Sequence, residues 1–589
     1  MADQTPGLYT SFDRSGDYSG TAPNNRLLAW GLIPPGAPCT PGVPFLASSL
    51  TQVQQQCGAS WAQLARNYQA AKAEPASVGA EIWCCGVADP AGTAATRLLE
   101  FAAQPTYDAS NGWQLGSATA AALGTDCYID FGGQVVVFGI AAGDTWAQCA
   151  AKALTALQTL GADLVYTPSV NSETITLTDK HASALTDDIP IRVWFSNPAA
   201  GVGIILGTLT LATDATGAGT VSLTDGVNTA SDTIANGNTP VLTAQNLRDD
   251  INAKTGYRAA LANPATGVIT IFARDDSYAR RLSSSITAAI GTTAVLAAGT
   301  AGSGTPSLSA LLALLAAGPT AYRAWALAQA DATALGAVAA HLISQDATPI
   351  EKGQIAFAGI STALPGTSLI GATTPALSTT ELMIVLHAQG ATVPAAQIAA
   401  RVAVQVAAES DQARNYNLLP LTSSDAMPLA AAHKRDRSGR DVWNAGISAG
   451  YAPVSVDDSG RWYVVMARTT WGSASPQTQK LKKWSGALLP IYFRSDLRST
   501  LTSIFFKPGD GRSLKARGAI HTERALSEKG IKSEIMVLVQ KWDRLDYFDG
   551  VQGVAQAMRV TIVGGVVKVV VPFRSITDLD RVELNSYPD

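Results

Sequence analysis

The sequence predicts a multidomain protein of mixed α+β and α/β class. A helix-covered mixed-sheet core is interrupted by two tandem small α+β modules and flanked by terminal β-arms. Three observations carry this. Ala-rich helical stretches alternate with short apolar strands on either side of residues 117–300. Within that region the sequence repeats at a constant, gap-free offset of 94. Both ends carry strand patterning with no apolar partner nearby. A chain of 589 residues exceeds what one core supports, and 47% apolar with 15% charged residues is a globular composition.

In chain order, residues 1–25 form an arm. Leu8, Thr10 and Phe12 share one side of a strand, with Tyr9 and Ser11 on the other. Residues 26–106 are the first half of the core. Arg26–Leu32 and Ala80–Val87 read as strands, while Trp61, Leu64, Ala65 and Tyr68 recur at helical spacing. Residues 107–204 and 205–304 are the two modules. Gly132 maps to Gly226, Ile140 to Ile234, Gly143 to Gly237, Thr145 to Thr239, Ala150 to Ala244, Ile175 to Ile269 and Ser183 to Ser277. Thr145 with Gln148 is a capping-box pattern, and Pro240 follows Thr239 at a first helical position. Acidic residues outnumber basic ones here, as on a solvated decoration. Residues 305–475 resume the core, with helices over Leu308–Ala317, Asp331–Ser344 and Ala395–Ala408. The strands there are Gln354–Ile360, Thr380–His387 and Trp462–Arg468. Residues 476–575 are a last domain, with helices over Leu488–Thr502 and Lys532–Leu545, Phe505-Phe506 in an apolar strand, and a strand-rich stretch from Met558 to Phe573. The strand Asp578–Leu584 falls in the final arm, 576–589.

The chemistry of catalysis is missing from the pattern. His181, His341, His387, His433 and His521 are scattered, one per element, without a second ligand at metal spacing. Pro508-Gly509-Asp510-Gly511-Arg512-Ser513 lacks the Lys-Ser/Thr ending of a phosphate loop. The pairs Asp187-Asp188, Asp249-Asp250 and Asp275-Asp276 read as solvated charge. Cys39, Cys57, Cys84, Cys85, Cys127 and Cys149 make no zinc spacing and read as small buried residues. No catalytic, cofactor or metal residue is therefore assigned. No apolar run is long enough to span a bilayer, and Met1–Pro6 lacks a secretory signal's regions, so cytoplasmic synthesis is expected.

Charge is unevenly spread. Lys480 to Lys541 holds 13 basic and 5 acidic residues, a net +8 within a chain of net −4. That asymmetry points to an anionic partner or an anionic neighbouring copy. Trp484, Tyr492 and Phe493 among the basic residues leave nucleic acid open as that partner.

The order of motifs resembles contractile-tail sheath proteins, especially those of Mu-type phages. Pro6-Gly7-Leu8-Tyr9-Thr10-Ser11-Phe12-Asp13 is similar to the family's N-terminal arm, and Arg26–Gly31 to its first core strand. Cys57-Gly58-Ala59-Ser60 resembles its "fG.gS.l" helix start, with Cys57 at the aromatic position. Gly143-Asp144-Thr145 followed by Thr174–Thr178 resembles the inserted module of that subgroup, here duplicated. The stretch Gly439-Arg440-Asp441-Val442-Trp443-Asn444-Ala445-Gly446-Ile447, then Asp458-Ser459-Gly460-Arg461 and Arg468-Thr469-Thr470-Trp471, resembles "ern.ll..Gi…dG.v.i.R.iTTy". Trp471 stands at the usual Tyr. Tyr492-Phe493-Arg494-Ser495 and the strand tail follow in the family's order.

The resemblance implies a mechanical role without enzyme activity or cofactor. Subunits would assemble as a six-stranded helix of stacked hexameric rings around a tail tube, with baseplate and tail terminator proteins as further partners. Neither nucleic acid nor a membrane would be a stable partner. The virion tail would be the final location, reached from the host cytoplasm. Residues 476–575 would lie closest to the tube, with Lys480, Lys482, Lys483, Arg494, Arg498, Lys529 and Lys532 facing it. Gly7, Leu8, Tyr9, Phe12, Ile576, Leu579, Val582 and Leu584 would carry the exchanged arms. A sheath of a pyocin-like or secretion machine, a β-rich decoration protein and a nucleic-acid-binding protein remain the alternatives.

Overall fold

The computed structural model describes residues 25–183, 189–254, 257–261, 266–287, 292–318, 320–347, 352–365, 369–370, 375–424, 427–472, 481–505, 513–515, 525–548, 550–563 and 566–572. Its centre is an eight-stranded sheet. In spatial order the strands are Phe45–Leu46, Glu81–Ala88, Arg26–Ile33, Ala324–Ala326, Ile355–Ile360, Met383–His387, Tyr451–Val456 and Trp462–Val464. The six inner strands are parallel and the outer pairings antiparallel. Arg26–Ile33 is an almost unbroken apolar run because helices cover the sheet on both faces. Helices Leu50–Cys57, Gln63–Lys72 and Ala395–Ala408 pack on one face. Helices Ser309–Ala317 and Ala332–Asp346 pack on the other. Two glycines set the layer spacing. A Cβ on Gly31 would lie 2.2 Å from the Leu64 backbone, and one on Gly359 2.2 Å from the Ala395 carbonyl oxygen.

The two helices of the last domain begin four residues before their expected starts, whereas the expected core elements form within three residues of their expected ends, with three exceptions. The last core strand stops at Val464, four residues early, because Arg468–Trp471 turns away to meet the next helix. Trp61 lies just before its helix, edge-on to His181 at 4.8 Å. Phe505 is the last residue of a helix, Trp484–Phe505, and not part of a strand.

The repeat is a structural duplication. Strands Thr125–Phe131 and Gln134–Ile140 match Gly219–Thr224 and Thr229–Ile234, and helix Trp146–Thr159 matches Pro240–Lys254. The hairpins Tyr166–Asn171/Thr174–Asp179 and Tyr257–Leu261/Val268–Ala273 also correspond. Thr145 makes the capping box with Gln148. Gly143 and Gly237 both take positive φ, at +85° and +86°. Each helix buries the expected stripe: Ala150, Ala153 and Leu157, then Ala244, Leu247 and Ile251.

The modules are not beads on a string. Their hairpins share one nine-stranded sheet with Thr96–Ala103 and Val202–Ala212, which pair with each other. Helix Trp484–Phe505 then links two cores. Trp484 is buried in the central one, whereas Leu489 and Phe493 enter a separate cluster with Ile535, Leu538 and Trp542 of helix Glu528–Arg544.

Candidate assembly surfaces

The terminal arm residues Gly7, Leu8, Tyr9, Phe12, Ile576, Leu579, Val582 and Leu584 lie outside the described residues, as do Lys480, the pair Asp187-Asp188 and His521. The strand expected over Asp578–Leu584 lies outside them too. What is described is a surface on which an added strand would fit. Arg559–Val563 and Val566–Val570 form a hairpin that is two-stranded among the described residues. Ile562 N–H donates to Glu528 Oε1 at 3.1 Å, away from its partner strand. Ile562 and Val567 are therefore a non-hydrogen-bonded pair, and the N–H and C=O groups of Val567 and Val569 face the far side. Among the described residues no strand occupies that edge. Val560, Val569 and Val571 anchor the hairpin on the C-terminal core, while Val570 stays 60% exposed.

The basic residues divide. Arg494 is half-buried and donates from Nη2 to Asp346 Oδ1 at 2.6 Å, tying the C-terminal helix to the end of helix Ala332–Asp346. Arg498 is buried. Lys529 is exposed, while Lys482, Lys483 and Lys532 are partly so. Lys532 Nζ reaches the Met558 carbonyl at 3.4 Å. Lys541 pairs with Asp496, which also accepts from Trp542 Nε1 at 2.7 Å.

The motif Arg468-Thr469-Thr470-Trp471 ties these parts together. The Arg468 guanidinium donates to three backbone carbonyls, of Ile447 at 3.0 Å, Lys482 at 3.2 Å and Trp471 at 2.8 Å. Burial lowers its pKa to about 10. Thr469 Oγ1 donates to Leu481 O at 2.6 Å and Thr470 Oγ1 to Thr380 O at 3.1 Å. Trp484 Nε1 closes the knot on the Arg468 carbonyl at 3.0 Å. No sequence pattern reveals this role, because every acceptor is a carbonyl oxygen.

A cavity of about 340 Å³ opens at the carboxyl ends of strands Ala324–Ala326 and Ile355–Ile360. Parallel sheets hold ligands at such places. Here its polar groups dock the second module. Arg280 donates to Ser361 Oγ at 2.9 Å and to the Ala391 carbonyl, and Asp331 caps helix Ala332–Asp346 through Ala334 N–H at 2.9 Å. The first module docks through His181, whose Nε2 accepts from Gln63 N–H at 3.3 Å and whose Nδ1 lies 3.5 Å from Asp89.

Two acidic pairs expected to be plain solvated charge have work in the fold. Asp250 accepts from Ser231 N–H at 2.8 Å, while Asp276 faces His433 at 3.4 Å. Sequence reasoning also missed the buried pair Glu74–Arg401 at 3.3 Å, which holds the loop at Thr422. Burial raises the Glu74 carboxyl and lowers the Arg401 guanidinium, so desolvation outweighs their attraction. All six cysteines are buried and free, and burial pushes Cys57 and Cys85 up to about 12. Among the described residues no group of three or more His, Cys, Asp or Glu is placed to hold a metal, and no helix is long and apolar enough to cross a membrane.

No protein-family model matches the chain, and no curated protein matches it. Solved structures to which it is similar are of low sequence identity. The sheath tail protein of Desulfitobacterium hafniense is 13% identical, with a TM-score of 0.40 over 97% of this chain and 100% of that one. A sheath tail protein of Listeria innocua is 10% identical, with a TM-score of 0.42 over 95% and 93%. A chain of the anti-feeding prophage baseplate is 14% identical, with a TM-score of 0.35 over 48% and 72%.

Proposed function

We propose that this chain is the subunit of a contractile tail sheath of the Mu type. It polymerises as a six-stranded helix of stacked rings around a tail tube and drives the tube through the host envelope on contraction. The observation that carries the reading is the C-terminal hairpin, whose Val566–Val570 edge no strand among the described residues occupies, in a chain whose two ends are strand-patterned without an apolar partner nearby in the sequence. A two-stranded hairpin is marginal alone and gains from added strands. Terminal arms of neighbouring copies supply them, through Gly7–Phe12 and Ile576–Leu584. The order of sequence motifs supports the same reading. Head-to-tail contacts of this kind do not close, so they build a helix. Work comes from free energy stored at assembly, without nucleotide or catalysis.

Partners in this account are further copies, the tube, the baseplate and the tail terminator, and the protein ends in the virion tail. The same residues would serve a sheath in a pyocin-like or secretion machine. The basic C-terminal domain faces the tube, with exposed Lys529 and the partly exposed Lys482, Lys483 and Lys532 contributing most, beside Lys480. Arg494 and Arg498 contribute through the charge they add near the contact. Each exposed pair is worth under about 1 kcal/mol, which suits a contact that must release. Reversing Lys529 and Lys532 together should slow assembly on tubes at low salt. Normal assembly there would remove this face from the account.

The test of the main reading is truncation. Without residues 1–20 or 576–589 the protein should stay folded and soluble but make no tubes. A truncated protein that still polymerises, or one that unfolds, contradicts the arm assignment.

A further inference from the structure

The two modules share a fold but differ at one edge. In each, a three-stranded sheet ends on an outer strand, Gln134–Ile140 in the first and Thr229–Ile234 in the second. In the second module the outward N–H of Ser231 is capped by Asp250 from the following helix, at 2.8 Å. The repeat offset carries Ser231 to Val137 and Asp250 to Ala156. The first module therefore has no carboxylate at the matching place.

The same alternation turns the N–H and C=O groups of Val135, Val137 and Gly139 outward. The side chains of Val135 and Val137 are 47% and 50% exposed. A Cβ on Gly139 would meet only Asp126 Oδ1, at 3.6 Å. The strand, Gln-Val-Val-Val-Phe-Gly-Ile, holds no charge and no proline.

Two other outer edges of the insert are blunted. Strand Tyr166–Asn171 carries Pro168, and Thr106–Asp108 is only three residues long. The strand Thr229–Ile234 contains Asp232 besides its cap. Native sheets block edges in these ways to prevent pairing with another chain. An apolar edge that none of the described residues blocks, beside its own blocked duplicate, marks a surface for pairing.

We propose that Gln134–Ile140 pairs antiparallel with the same strand of a second copy, joining the two three-stranded sheets into one of six strands. The edge is self-complementary about Val137. Val137 meets Val137 of the second copy, and Val135 lies opposite Gly139 of the second copy, where the missing side chain leaves room. No like charges meet, whereas the same pairing in the second module would bring two Asp250 carboxylates to the axis. A two-fold contact closes on itself, so it has no place inside a polar helix. It joins subunits before assembly, or links two separate polymers, and it does not depend on the sheath reading.

The test uses the full chain with Val137→Cys under mild oxidation. The native cysteines are all buried, so the new thiol is the one exposed for cross-linking. A covalent dimer of twice 61.0 kDa is expected. Ser231→Cys, at the blocked edge, should give none. Adding Ala156→Asp to Val137→Cys, which restores the second module's cap, should cut the yield about tenfold. Val135→Lys blocks the edge from an exposed position and should do the same if Ala156→Asp disturbs the helix. A Val137→Cys protein that stays monomeric overturns the proposal, as does a dimer yield indifferent to both blocking changes. An edge covered by the chain's own terminal segment would leave the Val137→Cys protein monomeric and its new thiol protected from alkylation, and that result overturns it equally.

Discussion

Arg468→Met tests whether the C-terminal domain is clamped to the core where the structure places the clamp. Methionine keeps much of the stem and removes the donors to Ile447, Lys482 and Trp471. Arg468 is 5% exposed, so water cannot readily replace them. Three stranded carbonyls cost about 1–3 kcal/mol each, and relief of a buried charge returns part of that. The expected net loss is about 2–4 kcal/mol, local to helix Arg440–Ala449, Thr469–Trp471 and the start of helix Trp484–Phe505. Amide hydrogen exchange reads it directly. Thr469 N–H donates to Lys482 O at 2.8 Å and Thr470 N–H to Met383 O at 3.0 Å. Their protection should fall by roughly 30- to 1,000-fold, by the tenfold per 1.4 kcal/mol rule. Arg468→Lys should rescue little, since an ammonium cannot span three divergent acceptors as the planar fork does. Wild-type protection at both amides in Arg468→Met would refute the clamp.

Two further outcomes follow from the same structure. His341 is held down to about 4 by burial and by Lys352, so the folded protein resists its protonation. The unfolded chain binds that proton more readily between about pH 6.5 and 4, so stability should fall across this window by roughly 2 kcal/mol after allowance for partial exposure. His341→Leu should flatten that acid limb in urea melts, and an unchanged limb would contradict the assignment. The insert's ends run together, with Thr96 N–H on Thr300 O at 2.9 Å and Ser303 N–H on Thr93 O at 3.1 Å. Replacing residues 94–302 by a short Gly/Ser linker should leave a folded core that still assembles into thinner tubes, with some stability lost from the Arg280 and His181 contacts. Loss of the core fold would show that docking is indispensable.

Legibility followed the range of the signal. The duplication was readable because its glycines, caps and helix stripes are local and repeat at one offset. Core helices were readable for the same reason, from caps such as Asp331 and periodic alanines. Sheet order was not. Thr96–Ala103 has the pattern of a core strand but pairs with Val202–Ala212 and Thr174–Asp179, and nothing in its eight residues distinguishes the two destinations. Charged side chains were hardest. Arg494 and Arg498, one turn apart, look like a solvated face until Asp346, 148 residues away, meets Arg494 and packing covers Arg498. Asp250 looks like helix-surface charge until the fold brings Ser231 beneath it. Arg468 differs again, since its partners are backbone groups that every residue possesses.

The central claim is that copies of this chain build a hollow helical polymer. Negative-stain microscopy of the purified protein, alone and with tail tubes, tests it most directly. The account predicts tubes of regular diameter with a central channel and six-fold end views. Monodisperse particles under every condition, with no tubes even in the presence of tail tubes, would contradict it.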